Sequence, residues 1–321
     1  MKVAHLITSK VFAGIEQHVF ELATAMDDET DHVILCDKSL VGYMSGVPTH
    51  SITMGSRFSP INIIKLALFV WKNNIDILHC HGAKASAIGG WVGLIARVKI
   101  VATIHGLKSH NRSIKYADSV IAVNKELVKG MSQAKVIPNW FNPAHQGQPS
   151  SRTGPIIAVG RLEKVKGFDL LINAWANIKE ELNIIGSGKE LLPLQELIKK
   201  LGLSDRIKIL TDHSYESIED IYKNASGLII SSLREGGPRT VLEAINHNIP
   251  VLGTNVGIMP QIIPRDLLAE AGNQVSLTAL MEEMIPLLPQ LDVGATKIAM
   301  HEEYSLKNAC IKTKEVYSLF E

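Results

Sequence analysis

The chain has 321 residues, 46% hydrophobic and 20% charged, with a formal net charge of +1; that describes a globular protein long enough for two cores and excludes a disordered one. The small total hides an asymmetry: residues 1–150 carry 15 Lys and Arg against 10 Asp and Glu, a net of +5, whereas residues 151–321 carry 18 against 22, a net of −4. The basic excess gathers between Lys84 and Lys135 with no interleaved aromatic stacking motif, so it is either a solvated face or an anionic membrane contact, and it argues against nucleic acid.

From the first residues onward, short apolar runs alternate with amphipathic ones. Residues 3–8, 32–36, 49–53, 75–79, 100–104 and 119–123 have strand character, and 14–26, 60–73 and 84–97 have helical spacing. This alternation is the mark of βαβ units in a doubly wound parallel sheet. A Pro-, Asn- and Gln-rich stretch, 137–154, then marks a linker. The alternation restarts at 155–160 and continues through 182–186, 207–210, 228–231 and 251–253. The expected architecture is α/β: two Rossmann-like domains, residues 1–148 and 152–303, facing a central cleft. A last amphipathic stretch, 304–320, lies beyond the second alternation.

The longest apolar helical stretches, 61–71 and 85–96, are well short of the roughly 20 residues that span a bilayer. No signal peptide is expected, since Met1-Lys2 leads straight into a strand pattern. Cys36, Cys80 and Cys310 are an odd set without metal spacing, which suits reduced, buried thiols of a cytoplasmic protein.

Five segments carry chemistry. Glu235-Gly236-Gly237-Pro238 opens a helical pattern that contains Glu243, between the apolar runs 227–232 and 249–253. A turn between a strand and a helix stands at the carboxyl edge of a parallel sheet, where open α/β folds bind ligands and free N–H groups attract anions. Gly160-Arg161-Leu162 runs on to Lys166-Gly167 after the first strand of the second domain, and two cations there suit a diphosphate. Gly14 joins the first strand to the first helix, with room for close backbone approach. His79, His81 and His105 lie at the ends of two strands. No carboxylate or cysteine stands at ligand spacing with them, so they do not read as a metal site; His105 is the better candidate for contact with a hydroxyl or for proton transfer.

In this order, Gly14-Ile15-Glu16, Thr103-Ile104-His105-Gly106, Gly160-Arg161-Leu162 with Lys166-Gly167, and Glu235-x7-Glu243 resemble glycosyltransferase family 4, the group 1 glycosyltransferases. The resemblance spans essentially the whole chain. It implies the GT-B fold and retaining sugar transfer from a nucleotide sugar, UDP- or GDP-linked, to a lipid-linked or cell-surface polysaccharide or lipopolysaccharide acceptor. It also implies no cofactor and no metal. The first domain would bind the acceptor, the second the nucleotide sugar, and residues 304–321 would pack back on the first. Arg161 and Lys166 would hold the donor diphosphate, Glu243 the ribose hydroxyls, and Glu235 would contact the transferred sugar near its reacting carbon. His105 would line the sugar and acceptor pocket, while Gly14, Gly236 and Gly237 would let the backbone approach the donor. No Asp-x-Asp pair is present to hold a metal ion between the phosphates.

Two segments depart from the family pattern: Gly237-Pro238 replaces an aromatic residue and a glycine after Glu-Gly, and Gly257-Ile258-Met259-Pro260-Gln261 replaces Gly-Gly-x-Pro-Glu. Both bear on the choice of sugar. The alternatives are a nucleotide-sugar epimerase or hydrolase of the same fold, and an inactive nucleotide-sugar-binding partner subunit. The complete set Arg161, Lys166, Glu235 and Glu243 argues against the last. The expected location is cytoplasmic, with peripheral attachment to the inner face of the cell membrane through the Lys84–Lys135 region.

Overall fold

The computed structural model describes residues 1–26, 30–53, 56, 59–106, 113–128, 131, 134–141, 150–211 and 215–321. The chain divides into two compact units, Met1–Asn139 with Ser305–Glu321, and Trp140–Tyr304. Of the expected linker, residues 142–149 lie outside the described residues.

Unit 1 holds a seven-stranded, all-parallel sheet: β1 (Lys2–Leu6), β2 (Asp31–Cys36), β3 (Thr49–Ser51), β4 (Ile77–His81), β5 (Lys99–Ile104), β6 (Ser119–Ala122) and β7 (Ala134–Val136). Their order is β3-β2-β1-β4-β5-β6-β7, so the winding reverses between β1 and β4. Helices α1 (Gly14–Ala25), α2 (Pro60–Lys72) and α3 (Ala83–Ala96) make the crossovers after β1, β3 and β4.

The period-2 alternation of the strands sorts their side chains. Ala4, Leu6, Val33, Leu35, Leu78, Cys80 and Ile100 share a buried core with the inner stripes of α2 and α3. On the strands that supply this core, the intervening positions put His5, His32, His79 and His81 toward the opposite face, all buried. β4 begins two residues later than its apolar pattern suggests. Asp76 is held in the preceding turn, its carboxylate accepting from the Lys2 backbone N–H at 2.7 Å. His81 is therefore a strand residue.

Unit 2 repeats the plan with six parallel strands: β8 (Ile156–Val159), α4 (Phe168–Ala174), β9 (Leu182–Ile185), α5 (Leu191–Lys200), β10 (Ile207–Leu210), α6 (Tyr215–Asn224), β11 (Gly227–Ile230), α7 (Arg239–Asn246), β12 (Val251–Thr254), α8 (Met259–Ile262), β13 (Leu268–Ala269), α9 (Gln274–Met284) and α10 (Gly294–Glu303). The order β10-β9-β8-β11-β12-β13 places the reversal between β8 and β11. Two buried clusters fill the faces of this sheet, one under α4, α5 and α9 and one under α7. The last helix, α11 (Leu306–Tyr317), belongs to unit 1, where it packs on α1. Tyr317 is fully buried there, its hydroxyl 2.6 Å from His79 Nδ1.

No helix among the described residues is long and apolar enough to cross a membrane. All three cysteines are buried.

Candidate active site

The two chemistry-bearing segments of unit 2 leave β8 and β11, the strands that flank its winding reversal. Loops there have no strand between them, and that crevice is where open α/β sheets take ligands. The β8 loop turns through a short 3-10 segment, Lys164–Lys166, before α4. It is tied to the β11 loop by backbone and side chain: Leu233 N–H donates to Val165 O at 2.8 Å, and Ser231 Oγ donates to Lys166 O at 2.9 Å. With the loops so fixed, Lys166 Nζ lies 2.5 Å from Glu235 Oε1, and Ser232 Oγ donates to the same oxygen at 2.6 Å. The Lys166 and Glu235 side chains are only 19% and 13% exposed, so water screens this pair weakly. Thr254, ending β12, holds the other side of the turn by donating to Ser232 O at 2.6 Å.

The remaining site residues of unit 2 stand around this pair in less uniform ways. Arg161 is exposed and pairs with Glu163 at 2.7 Å, a surface contact of the kind a phosphate displaces at little cost. Glu243 lies within α7 and is buried, one oxygen accepting from the Tyr222 hydroxyl at 3.0 Å, while the Tyr222 ring stacks on His247. Glu235 and Glu243 therefore occupy different surroundings, one beside a cation and one among aromatic rings. Gly236 and Gly237 fill the turn between Glu235 and α7, Gly236 buried and Gly237 half-buried.

The structure adds two glycines that the sequence motifs left unassigned. Gly257 has φ +58°, and a Cβ there would sit 2.7 Å from Gly236 O and 3.1 Å from Glu235 Cβ. The first residue of the departing Gly257–Gln261 segment thus packs against the turn that carries Glu235 and Gly236. Gly186, after β9, has φ +151°, and its Cβ would fall 1.9 Å from Gly160 O. The signal for this second loop was present in Gly186-Ser187-Gly188 directly after an apolar run; Leu162 N–H donates to Ser187 O at 2.8 Å, locking the two loops together.

In unit 1, Gly14 is the first residue of α1. Its φ is not in the left-handed region and a Cβ there meets open space, so no described protein atom demands glycine. His105 follows β5 and is half-buried; residues 107–112 beyond it lie outside the described residues.

Spacing along the chain did not reveal that His105 ends a cluster of six histidines. His32 Nδ1 lies 2.9 Å from His5 Nε2, His5 Nδ1 3.2 Å from His81 Nε2, and His81 Nδ1 3.4 Å from His105 Nε2. His79 bonds Thr103 Oγ1 and Tyr317 Oη, each at 2.6 Å, and His18 Nδ1 lies 3.1 Å from Asn139 Oδ1. Burial, reinforced by the neighbouring imidazoles, pushes His5 and His81 well below the ordinary histidine range and His79 down to about 3. These three are neutral at physiological pH.

Among the described residues, the basic side chains of 84–135 do not all share one edge of the sheet. Lys84 stands in the first turn of α3, at the carboxyl edge of β4, whereas Lys99 starts β5 at the other edge and pairs with Asp118 at 3.3 Å. Lys135 pairs with Glu315. Lys108, Arg112 and Lys129 lie outside the described residues.

Residues 12–145 match the family model for Glycosyltransferase Family 4, and residues 145–285 match that for Glycosyl transferases group 1. The two matches meet at residue 145 and together carry every candidate residue. The chain belongs to the group 1, family 4 glycosyltransferases.

Relatives of this glycosyltransferase include a phosphatidylinositol N-acetylglucosaminyltransferase subunit from Arabidopsis thaliana, 26% identical over 95% of this chain and 78% of its own. An uncharacterized glycosyltransferase of Methanocaldococcus jannaschii is 27% identical over 92% and 90%. The N-acetyl-alpha-D-glucosaminyl L-malate synthase of Bacillus anthracis is 25% identical over 70% and 68%. Among solved structures, Anabaena HepE in complex with UDP and glucose superposes with a TM-score of 0.86 at 18% identity, covering 99% of both chains. The lipopolysaccharide outer core galactosyltransferase WaaB gives 0.79 at 18% identity over 99% of both. The glycosyltransferase therefore has the GT-B fold.

Proposed function

We propose that this glycosyltransferase moves a sugar, with retention of configuration, from a nucleoside-diphosphate sugar to a lipid-linked or cell-surface glycan acceptor. The observation that carries this is the Lys166–Glu235 contact at the winding reversal of unit 2. Breaking a glycosyl–phosphate bond leaves negative charge on the diphosphate and positive charge on the sugar ring. A cation and a carboxylate already side by side, on loops braced by backbone hydrogen bonds, answer both charges with little rearrangement. Lys166 and the exposed Arg161 take the diphosphate, and Glu235, released from Lys166 by the incoming phosphate, faces the ring beside the reacting carbon. Glu243, backed by Tyr222, accepts from the ribose hydroxyls. Gly236 and Gly237 keep the turn backbone close to the donor. In unit 1, Gly14 leaves space at the start of α1 for the phosphates, and His105 lines the sugar and acceptor pocket. No cofactor or metal enters this scheme, and the leaving phosphate assists deprotonation of the acceptor.

UDP and N-acetylglucosamine are the first donor parts to test, because solved neighbours hold UDP and two relatives carry N-acetylglucosaminyl transfer in their names. A lipid-linked acceptor is supported by unit 1 itself. On α2, Ile61, Ile64, Leu68 and Trp71 form an exposed stripe at helical spacing, opposite the buried stripe of Ile63, Leu66, Ala67 and Val70. α3 packs beside α2 and exposes Trp91, Leu94 and Ile95. Helices apolar on their outer face, each exposing a tryptophan and accompanied by Lys65 and Lys72, suit the interface of an anionic membrane. This apolar surface, more than the basic segment, is the basis for peripheral attachment to the inner face of the cell membrane.

The test is nucleoside-diphosphate release from UDP-N-acetylglucosamine, UDP-glucose and GDP-mannose, with and without lipid extract as acceptor. Release that depends on acceptor, and that Glu235→Gln lowers about 10²–10³-fold, is expected. Release equal without acceptor indicates hydrolysis instead, and full transfer by Glu235→Ala refutes the assignment of the centre.

A further inference from the structure

We propose that Phe12 and Tyr43 of unit 1 form a stacking subsite for a sugar ring of the acceptor glycan. The loop from β1 to α1 and the 3-10 segment Lys38–Tyr43 leave neighbouring parallel strands, β1 and β2, at the same carboxyl edge. There the two aromatic rings stack, with centroids 4.8 Å apart and planes inclined by 18°. Phe12 packs inward on the core that holds Ile7, Leu40 and Met44. Tyr43 lies over it and stays 59% exposed, so one face of its ring is engaged and the rest is turned to solvent.

Hydrogen bonds hold both halves of this pair in place. Glu16, 3% exposed on α1, accepts from Ala13 N–H at 3.0 Å with one oxygen and from Ser9 Oγ with the other. One buried carboxylate thus fixes the loop on either side of Phe12. Ser39 Oγ donates to Lys10 O at 2.9 Å and Ser39 N–H donates to Asp37 Oδ1 at 3.1 Å, which joins the loop to the segment that carries Tyr43. The rings are therefore ordered before any ligand arrives, the condition under which an aromatic anchor contributes most to binding.

The rim of the pair selects the ligand. The Ser39 backbone N–H, then its hydroxyl and the Lys10 ammonium, hold the Asp37 carboxyl below its ordinary range. An ionised carboxylate keeps lone pairs for further donors, and the exposed Lys10 and Lys38 supply donors of their own. A pyranose has a face of C–H groups and an edge of hydroxyls, which matches an open aromatic face rimmed by such groups. An acyl chain needs a wider apolar surface, of the kind that α2 and α3 present. The subsite rests on the reading of unit 1 as the acceptor side and adds to it which part of the acceptor this edge holds.

The full chain, with UDP present, is mixed in turn with the methyl glycosides of glucose, galactose, mannose and N-acetylglucosamine, and saturation-transfer NMR reads contact with each. The expected result is transfer to the ring C–H protons of at least one glycoside, with binding weakened at least about fivefold in Tyr43→Ala and kept in Tyr43→Phe. Because the ring is exposed, Tyr43→Ala keeps its melting transition and its flotation with phosphatidylglycerol vesicles. Calorimetric titration of UDP and GDP into the same proteins reports on the donor reading separately: binding of neither counts against that reading. Transfer to none of the glycosides, or equal binding by Tyr43→Ala, overturns the subsite. Loss of vesicle flotation in Tyr43→Ala with glycoside contact intact also overturns it and makes the pair a lipid contact.

Discussion

At the scale of single residues, the proposed donor site turns on one ion pair whose partners lie 69 positions apart in sequence. Lys166→Met and Glu235→Gln should each lower kcat by about 10²–10³-fold, since each removes a charge that the transition state uses. Because the two side chains touch, the double variant should be far less active than wild type yet more active than the product of the single losses predicts. Steady-state kinetics of the four proteins checks this. Glu243 has a different part: Glu243→Gln should raise KM for the donor about tenfold with kcat nearly unchanged, and Tyr222→Phe should shift KM the same way by less. Equal losses in kcat for Glu235→Gln and Glu243→Gln would contradict the division of labour.

The motif residues of unit 2 were legible as types and order, because glycine after a strand and a carboxylate in a turn carry their chemistry on their face. What spacing could not express is contact. Spacing put Lys166 beside Arg161 as a phosphate ligand and the family resemblance put Glu235 beside the sugar, but neither set the two against each other. Nor could spacing assemble six histidines from β1, α1, β2, β4 and β5, since their adjacency is a product of strand order.

At the scale of elements, parallel strands and crossover helices followed from apolar alternation, and the misplacement of β4 came from Asp76, a polar residue committed to a turn by the Lys2 backbone. The short edge strands β7 and β13, three and two residues long, were not read from the sequence. The loop after β9 depends on glycine: Gly186→Ala would drive a methyl into Gly160 O, and a loss of about 1–3 kcal/mol is expected from urea denaturation. An unchanged midpoint would mean the β8 and β9 loops are not interlocked. The outer stripe of α2 makes its own prediction. Ile64→Glu and Trp71→Glu remove apolar area worth about 1.5–3 kcal/mol each, so flotation with phosphatidylglycerol vesicles should fall by tenfold or more while the melting transition holds. Release by high salt alone, with these variants binding normally, would return the attachment to the lysines.

At the scale of the whole molecule, two sheets each reverse their winding once, and polar side chains gather at each reversal. In unit 2 the gathered groups are Lys166, Glu235 and the serines that orient them; in unit 1 they are histidines, of which His5, His79 and His81 are held neutral by burial. Family membership accounts for the GT-B fold and for glycosyl transfer; in the proposed scheme the choice of donor falls to the turn between Glu235 and α7 and to Gly257 against it. The most direct measurement is calorimetric titration of UDP and GDP into wild type and Lys166→Met. One of the two nucleotides should bind at one per chain, and Lys166→Met should weaken it at least about tenfold, the loss of a charge-assisted phosphate contact. Binding of neither nucleotide, or equal affinity in the variant, would contradict a donor site built on Lys166.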